Sequence, residues 1–308
     1  MLRFHSNGKL LISGEYFILL GAKALAVPVK YGQSLEINRG NGYDALNWES
    51  YILNKFWFRV VYGSCNLDIR DTTDLTLARK LTRILNAAKD LNPGFLSGGD
   101  TFSVRANVNF NISWGLGSSS SLISNIAYWS GTDPFQLLKM VSSGSGYDIA
   151  CARTDSPIIY QLHRDQPIIN RVIFNPPFSN KLYFIYLGRK EDSEENLKNH
   201  IGKCRQNPNW IDFFSDFTDK IATAGNIDEF NEYIREHERQ LSAILGVETI
   251  KGQRFRDYNG EMKSLGAWGG DFALATWEGS REDLLEYFRR KGLFTLFPFK
   301  DIILKSQS

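Results

Sequence analysis

An α+β fold is what the sequence predicts, and three observations carry the prediction. Phe102, Val104, Ala106, Val108, Phe110, Ile112 and Trp114 are apolar, and every residue between them is polar or charged. That alternation is the period of a half-buried strand. Within Leu75–Leu91, Leu77, Leu81, Ile84, Leu85 and Ala88 recur at helical spacing. Strand-like and helix-like segments mix in both halves of the chain rather than alternating as regular strand–helix units.

Taken in order, "KLLIS" (Lys9 to Ser13) reads as a short strand ending at Gly14. Ala24–Val29 and Leu35–Ile37, separated by Gly32, read as further paired strands. The Leu75–Leu91 helix is stopped by Asn92-Pro93-Gly94. The 102–114 strand runs into a glycine–serine stretch, after which Leu122, Ile123, Ile126 and Ala127 return at helical spacing. A helix starts at Asp133-Pro134, since proline suits a first turn, and gives out in "SSGSG" at 142–146. Ile158–Leu162 and Ile168–Phe174 read as strands joined by a polar turn. Asn175-Pro176-Pro177 is the expected domain boundary, giving an N-terminal domain of residues 1–177 and a C-terminal one of 178–308. Leu182–Leu187 is a continuous apolar run of the buried-strand type. Residues 191–246 are polar and helix-prone. Asn226 with Glu229 caps a helix over Ile227–Leu245, and Ser280 with Asp283 caps one over Arg281–Lys291 that Gly292 ends. Phe272–Trp277 and Ile302–Leu304 read as strands.

The bulk properties narrow the function classes. A chain of 308 residues is long enough for one large or two ordinary domains. With 43% hydrophobic residues and 23% charged, it has a globular composition. A formal net charge of +2 gives no electrostatic footprint for nucleic acid or a membrane surface. Cys65, Cys151 and Cys204 are far apart and form no CxxC pair, which argues against a structural zinc site or a disulfide framework. The N-terminus lacks the apolar core of a secretory signal, and no uncharged apolar run is long enough for a bilayer. The expectation is a cytoplasmic protein with a small-molecule partner; the oligomeric state, including a homodimer, is open.

The chemistry concentrates in "SWGLGSSSSLIS", Ser113 to Ser124, between strand and helix. A helix N-terminus exposes unpaired N–H groups and the positive end of the helix dipole. Glycines before it let backbone wrap closely around a phosphate, and serine hydroxyls add donors. The stretch is neither a Walker A loop, having no Lys-Ser/Thr, nor GxGxxG. A plain flexible connection is the alternative. Three other stretches are weak singly. "GKLLISGEY" places Lys9 before a strand and Gly14-Glu15-Tyr16 after it. "SSGSGYDIACA" sets Asp148 in glycine-rich backbone, where a helix N-cap is the commoner fate of an Asp. "KSLGAWGGDFALAT" is a glycine-rich turn, or simply a hairpin bend, leading into a strand.

Together and in this order these stretches resemble the signature motifs of the GHMP kinases: Lys9–Tyr16 the first, Gly115–Ser121 the second, Gly266–Asp271 the third. Ser145–Asp148 resembles the element carrying the catalytic aspartate. Within the superfamily, "GEY" and "KSLGAWGGD" are most similar to the phosphomevalonate kinase branch; "GYDIA" also resembles a bacterial subgroup. The resemblance spans about Lys9 to Thr276. It implies a two-domain fold, with an N-terminal domain like ribosomal protein S5 domain 2 and a ferredoxin-like C-terminal domain. It implies an ATP- and Mg²⁺-dependent kinase acting on phosphomevalonate or mevalonate, in isoprenoid precursor synthesis. The backbone of Gly115, Leu116, Gly117, Ser118, Ser119 and Ser120 would hold the nucleotide phosphates, with Ser119 on Mg²⁺. Asp148 would take or orient the proton of the attacking hydroxyl, and Lys9 would neutralise developing charge; otherwise Lys9 is a solvated strand lysine. Glu15, Tyr16, Ser145, Gly146, Lys263, Ser264 and Gly266 would contact an anionic substrate. The sequence departs from the pattern in three places. Trp268 stands where a glycine is usual, the second motif lacks its upstream proline, and residues 122–145 contain Asp133 but no glutamate. These departures keep open a nucleotide-binding protein of this fold with weak or no kinase activity, or a kinase for another hydroxylated metabolite.

Overall fold

The computed structural model describes residues 1–40, 45–63, 66–188, 200–266 and 270–304. Trp268, Cys65 and the start of the 191–246 segment lie outside them. The chain divides into two compact units: Met1–Gly8, Tyr31–Ile112 and Leu116–Arg153 form one, and Lys9–Lys30, Ser113–Gly115 and Thr154–Ser308 the other.

In the first unit, β3 (Leu46–Ile52), β4 (Lys55–Tyr62), β5 (Ile69–Thr72), β6 (Phe102–Val108) and the distal part of β2 (Ala24–Arg39) form a mixed sheet in the order β5-β4-β3-β6-β2. β1 (Leu2–Ser13) pairs with β2. β3 and β6 run parallel, Trp48 opposite Val104; the other registered pairs are antiparallel. One face is covered by α1 (Leu75–Leu91), α2 (Ser118–Ser130), α3 (Pro134–Val141) and α4 (Tyr147–Ala152). α1 forms where its apolar stripe dictates, burying Ala78, Leu81, Leu85 and Ala88 against Trp48, Val60, Tyr62 and Val104. Each buried leucine of that stripe contributes about 1.5–3 kcal/mol. Asp74 caps α1 by accepting from the Leu77 N–H, and Asp133 caps α3 by accepting from those of Phe135 and Gln136. Asp133→Ala is expected to cost about 1 kcal/mol in a urea titration.

In the second unit, β9 (Leu182–Tyr186), β10 (Met262–Leu265), β11 (Phe272–Thr276) and β12 (Leu296–Pro298) form an antiparallel sheet in the order β10-β11-β9-β12. The first residues of β2 pair with β7 (Ile158–His163), which pairs with β8 (Gln166–Arg171). Its helices include α5 (Asn209–Thr223), α6 (Ile227–Leu245), α7 (Ile250–Arg254), α8 (Arg281–Arg290) and the short α9 (Phe299–Ile302). α6 opens on Asn226 and α8 on Ser280, each side chain accepting the N–H three residues on, as expected. Among the described residues no helix is long and apolar enough to cross a membrane.

The predicted fold class stands, with corrections to its elements. Ala24–Val29 and Leu35–Ile37 belong to one sixteen-residue strand; Gly32 stays within it, its N–H donating to the Asn109 side chain and its carbonyl accepting from the Asn109 N–H. β1 starts seven residues before Lys9. The 102–114 alternation is strand only to Val108, and Ile112–Trp114 is a 3₁₀ turn. β8 stops at Arg171 instead of Phe174. Ile302 ends α9, and Ile303 makes a single bridge to Val29 in place of a strand. Trp57 is 37% exposed, whereas Trp48 on the neighbouring strand is buried.

Candidate active site

The glycine–serine stretch leads directly into α2, which belongs to the first unit. Gly115 and Gly117 hold φ values of 66° and 90°, and Gly117 is the N-cap. No side chain caps α2, whereas α1, α3, α6, α7 and α8 are each capped by an Asp, Asn, Thr or Ser. The positive end of a thirteen-residue helix is thereby left for an acceptor that the helix does not itself provide. Leu116 is fully buried and anchors the loop. Ser120 and Ser121 turn inward, donating to the carbonyls of Gly117 and Ser118 at 3.0 Å each. Ser119 faces solvent and Ser118 is half-buried, so the exposed hydroxyl of this turn is that of Ser119.

α4 packs against α2 and also starts on an uncapped glycine, Gly146, at φ 90°. Gly146, not Asp148, therefore takes the N-cap place of α4. Asp148 is the second residue of α4, half-buried, its Oδ1 accepting the Ile149 N–H at 3.0 Å. A carboxylate there is favoured by the helix dipole. Ser145 is half-buried just ahead of it.

In the second unit, half-buried Lys9 lies on β1 and the chain then turns sharply through Gly14-Glu15-Tyr16. Gly14 has φ 95°, and a Cβ there would come within 2.5 Å of the Ala24 Cβ and 2.8 Å of the Lys23 carbonyl oxygen. Only glycine fits. Tyr16, at φ 60° and ψ −48°, is the centre of a three-residue turn closed by the Phe17 N–H on the Glu15 carbonyl at 2.6 Å. This positive-φ γ-turn is a rare, strained conformation. It is held by the burial of Tyr16, Phe17 and Ala22 with Phe214, Leu241 and Leu245. Gly266 follows β10 at φ 75°, and β11, antiparallel to β10, opens at Phe272; of the third stretch, residues 267–269 lie outside the described residues. A Cβ on Gly115 would collide with the Asp271 carboxylate, so that carboxylate lies directly against the Gly115 backbone.

Glu15 and Lys263 are fully buried and meet each other. Lys263 Nζ donates to Glu15 Oε1 at 2.5 Å and to the Ser264 carbonyl at 3.1 Å, and lies 3.5 Å from Glu238 Oε1. Glu238 Oε2 accepts the Ser264 N–H at 3.2 Å, and the Gly266 backbone bonds to Glu15. His237 stands 3.5 Å from Glu15 and 3.9 Å from Glu238, its ring packed edge-on against Phe214. Burial raises the Glu15 carboxyl above its usual range against the pull of Lys263, and raises Glu238 to about 7. Burial, helped by Lys263, holds His237 well below 6.5, hence neutral. His237 and Glu238 were not anticipated. The available signal was that they interrupt the apolar stripe Phe230, Ile234, Leu241 and Leu245 of α6.

Other cations that could meet an anion are variously engaged. Lys23 pairs with Asp219 at 2.5 Å, and Arg105 and Arg153 lie over the rings of Tyr51 and Tyr128. Lys80 is exposed on α1. Among the described residues no group of three or more His, Cys, Asp or Glu gathers to hold a metal ion.

No protein-family model matches the chain, and no curated protein matches it in sequence. Solved structures do. An L. major mevalonate kinase in complex with R-mevalonate is 16% identical, covering 100% of this chain and 97% of its own, at a TM-score of 0.69. The Streptococcus pneumoniae phosphomevalonate kinase in complex with phosphomevalonate and AMPPNP is 17% identical over 96% of this chain and 99% of its own, at 0.69. The Lin0012 protein from Listeria innocua is 18% identical over 96% of each chain, at 0.71. The likeness is one of fold, and this chain has the α+β fold of the GHMP kinases.

Proposed function

We propose that the protein is an ATP-dependent kinase that transfers the γ-phosphoryl group to phosphomevalonate or mevalonate. The observation that carries the reading is the uncapped, glycine-opened N-terminus of α2, in a chain whose fold is shared with kinases of these two substrates. Phosphoryl transfer asks mainly for positioning and charge neutralisation. The N–H groups of residues 115–120 receive the nucleotide phosphates. Asp148, at the start of the helix packed on α2, takes the proton of an attacking hydroxyl or holds the attacking oxygen. Ser145 and Gly146 flank it as acceptor contacts. Lys9 neutralises charge developing on the transferred group, and the turn at Ser264–Gly266 is assigned to the acceptor's anionic end. These last roles rest on the order of the motifs.

The oxygen donors present fit Mg²⁺, a hard cation that keeps several waters and binds through one or two protein oxygens plus phosphates. Ser119 is assigned to hold it. When bound, the ion would neutralise charge on the nucleotide's phosphates. Ser119→Ala is expected to raise the Mg²⁺ concentration needed for AMPPNP binding about tenfold, measured calorimetrically; this is the order of 1.4 kcal/mol. An unchanged requirement would assign the ion to another donor.

The activity itself is tested by ADP release with ATP, Mg²⁺ and, separately, phosphomevalonate, mevalonate, homoserine and galactose. Turnover with one of the first two, well above the others, is the expected result. Nucleotide binding without turnover on any of them would overturn the kinase reading in favour of a nucleotide-binding protein.

A further inference from the structure

Glu15 and Lys263 sit 248 residues apart in sequence yet meet in the interior of the second unit, with Glu238 and His237 closing around them. A buried ammonium or carboxylate left alone is strongly unfavourable, and pairing with further hydrogen bonds is what makes it tolerable. Here the extra bonds run to one place. Glu238 receives the Ser264 N–H, Lys263 donates to the Ser264 carbonyl, and Glu15 bonds the Gly266 backbone. The group thus grips both the N–H and the carbonyl of Ser264 near the end of β10, and Gly266 just beyond it. Through the backbone of Glu15 it also includes the strained turn that follows β1. The ammonium stands among two carboxylates and an imidazole, so a positive charge is already built in where a cation could otherwise sit. Among the described residues, Glu15 Oε2, Glu238 Oε1 and both ring nitrogens of His237 are buried and find no hydrogen-bond partner. The grip therefore depends on charge at the Lys263 end rather than on a saturated hydrogen-bond network.

We infer that Glu15, Lys263 and Glu238 are positioning residues. Their buried ion cluster locks the end of β10 at Ser264 and Gly266 to the Gly14–Tyr16 turn, and they act on the acceptor through the backbone of Ser264 and Gly266 rather than by touching it. This rests on the kinase reading for its role in catalysis, but the locking itself does not.

The test uses the full chain with Glu15→Gln, Glu238→Gln, Lys263→Met and the double variant Glu15→Gln/Lys263→Met. Amide exchange of the segment 262–266, read by mass spectrometry, is expected to rise tenfold or more in Glu15→Gln, an isosteric change that keeps the fold. Lys263→Met leaves two carboxylates facing each other and is expected to lower the melting temperature by roughly 10 °C; the double variant recovers at least half of that. With phosphomevalonate, kcat falls tenfold or more in Lys263→Met while the Kd for AMPPNP stays within threefold, and the double variant regains part of kcat. Strictly additive melting-temperature losses together with unchanged exchange at 262–266 would overturn the locking. A KM for phosphomevalonate that rises in every variant lacking Lys263, with no regain in the double, would overturn the positioning role in favour of direct contact. A wild-type protein that turns over no acceptor overturns the kinase reading and the catalytic role with it, while exchange and melting still decide the locking.

Discussion

Asp148→Asn is expected to lower turnover by about 10²–10⁴-fold, the range that a positioned acid–base group contributes. It should leave AMPPNP affinity and the fold close to wild type. The substitution is isosteric, and an asparagine oxygen can still accept from the Ile149 N–H that Asp148 engages at 3.0 Å. α4 is opened by Gly146 rather than by this side chain, so no cap is lost. Loss of negative charge in the first turn costs about 0.3–1 kcal/mol, small beside a typical folding free energy. Stability and catalysis are therefore separable at this position. The size of the loss also reports on the acceptor. A hydroxyl must shed its proton as it attacks, so mevalonate turnover should fall toward the upper end. An acceptor attacking through an already ionised phosphate oxygen has no such proton, and phosphomevalonate turnover should fall toward the lower end, where Asp148 only orients. The measurement is steady-state kinetics with both acceptors. Near-wild-type turnover on the acceptor that the wild type prefers would take Asp148 out of the mechanism.

What could be read from sequence, and what could not, follows from the range of the interactions. Helices came out nearly to the residue where a local cap fixes the start: Asp74, Asp133, Asn226 and Ser280 each bind an N–H two or three residues on. Strands came out less well because their ends depend on partners. Gly32 looks like a break, but Asn109, 77 residues away, bonds both its N–H and its carbonyl and keeps β2 continuous. Those same bonds mark where β6 ends, so the apolar alternation through Phe110, Ile112 and Trp114 continues past the strand that it seemed to describe. The glycine–serine turn was legible because its chemistry is local backbone chemistry. The buried ion cluster was not. Its members come from the turn after β1, from α6 and from β10, and a lysine in isolation is expected at the surface. Only the polar pair His237-Glu238 on an otherwise apolar helical stripe hinted at it.

Glu238→Gln should change how stability depends on pH, by about one proton over a defined window. Burial, opposed by Lys263 and reinforced by Glu15, raises the Glu238 carboxyl to about 7, against 4.5 for the ordinary group that the unfolded chain presents. Between those values the folded protein keeps a proton that the unfolded chain has released, so raising the pH favours unfolding. The stabilisation is complete below about 4.5 and is gone above about 7. His237 acts in the opposite sense. It is buried neutral, with its pKa well below 6.5, so the unfolded chain takes up a proton first as the pH falls through 6.5, and stability is lost on that side. In the wild type the His237 slope between about 4.5 and 6.5 opposes that of Glu238 and that of Glu15, whose carboxyl burial also raises. The variant lacks the glutamate's contribution alone. Relative to wild type it should gain stability steadily from pH 5 to pH 7, at about 1.4 kcal/mol per pH unit, for a total of order 3 kcal/mol. Among the described residues the titratable groups recorded against Glu238 are Lys263, Glu15 and His237, so the difference curve reports this carboxyl together with its coupling to Glu15. Urea titrations of both proteins at pH 5, 6, 7 and 8 give that curve. Parallel profiles would mean that Glu238 is ionised in the folded protein throughout, with Lys263 strong enough to hold two buried carboxylates charged.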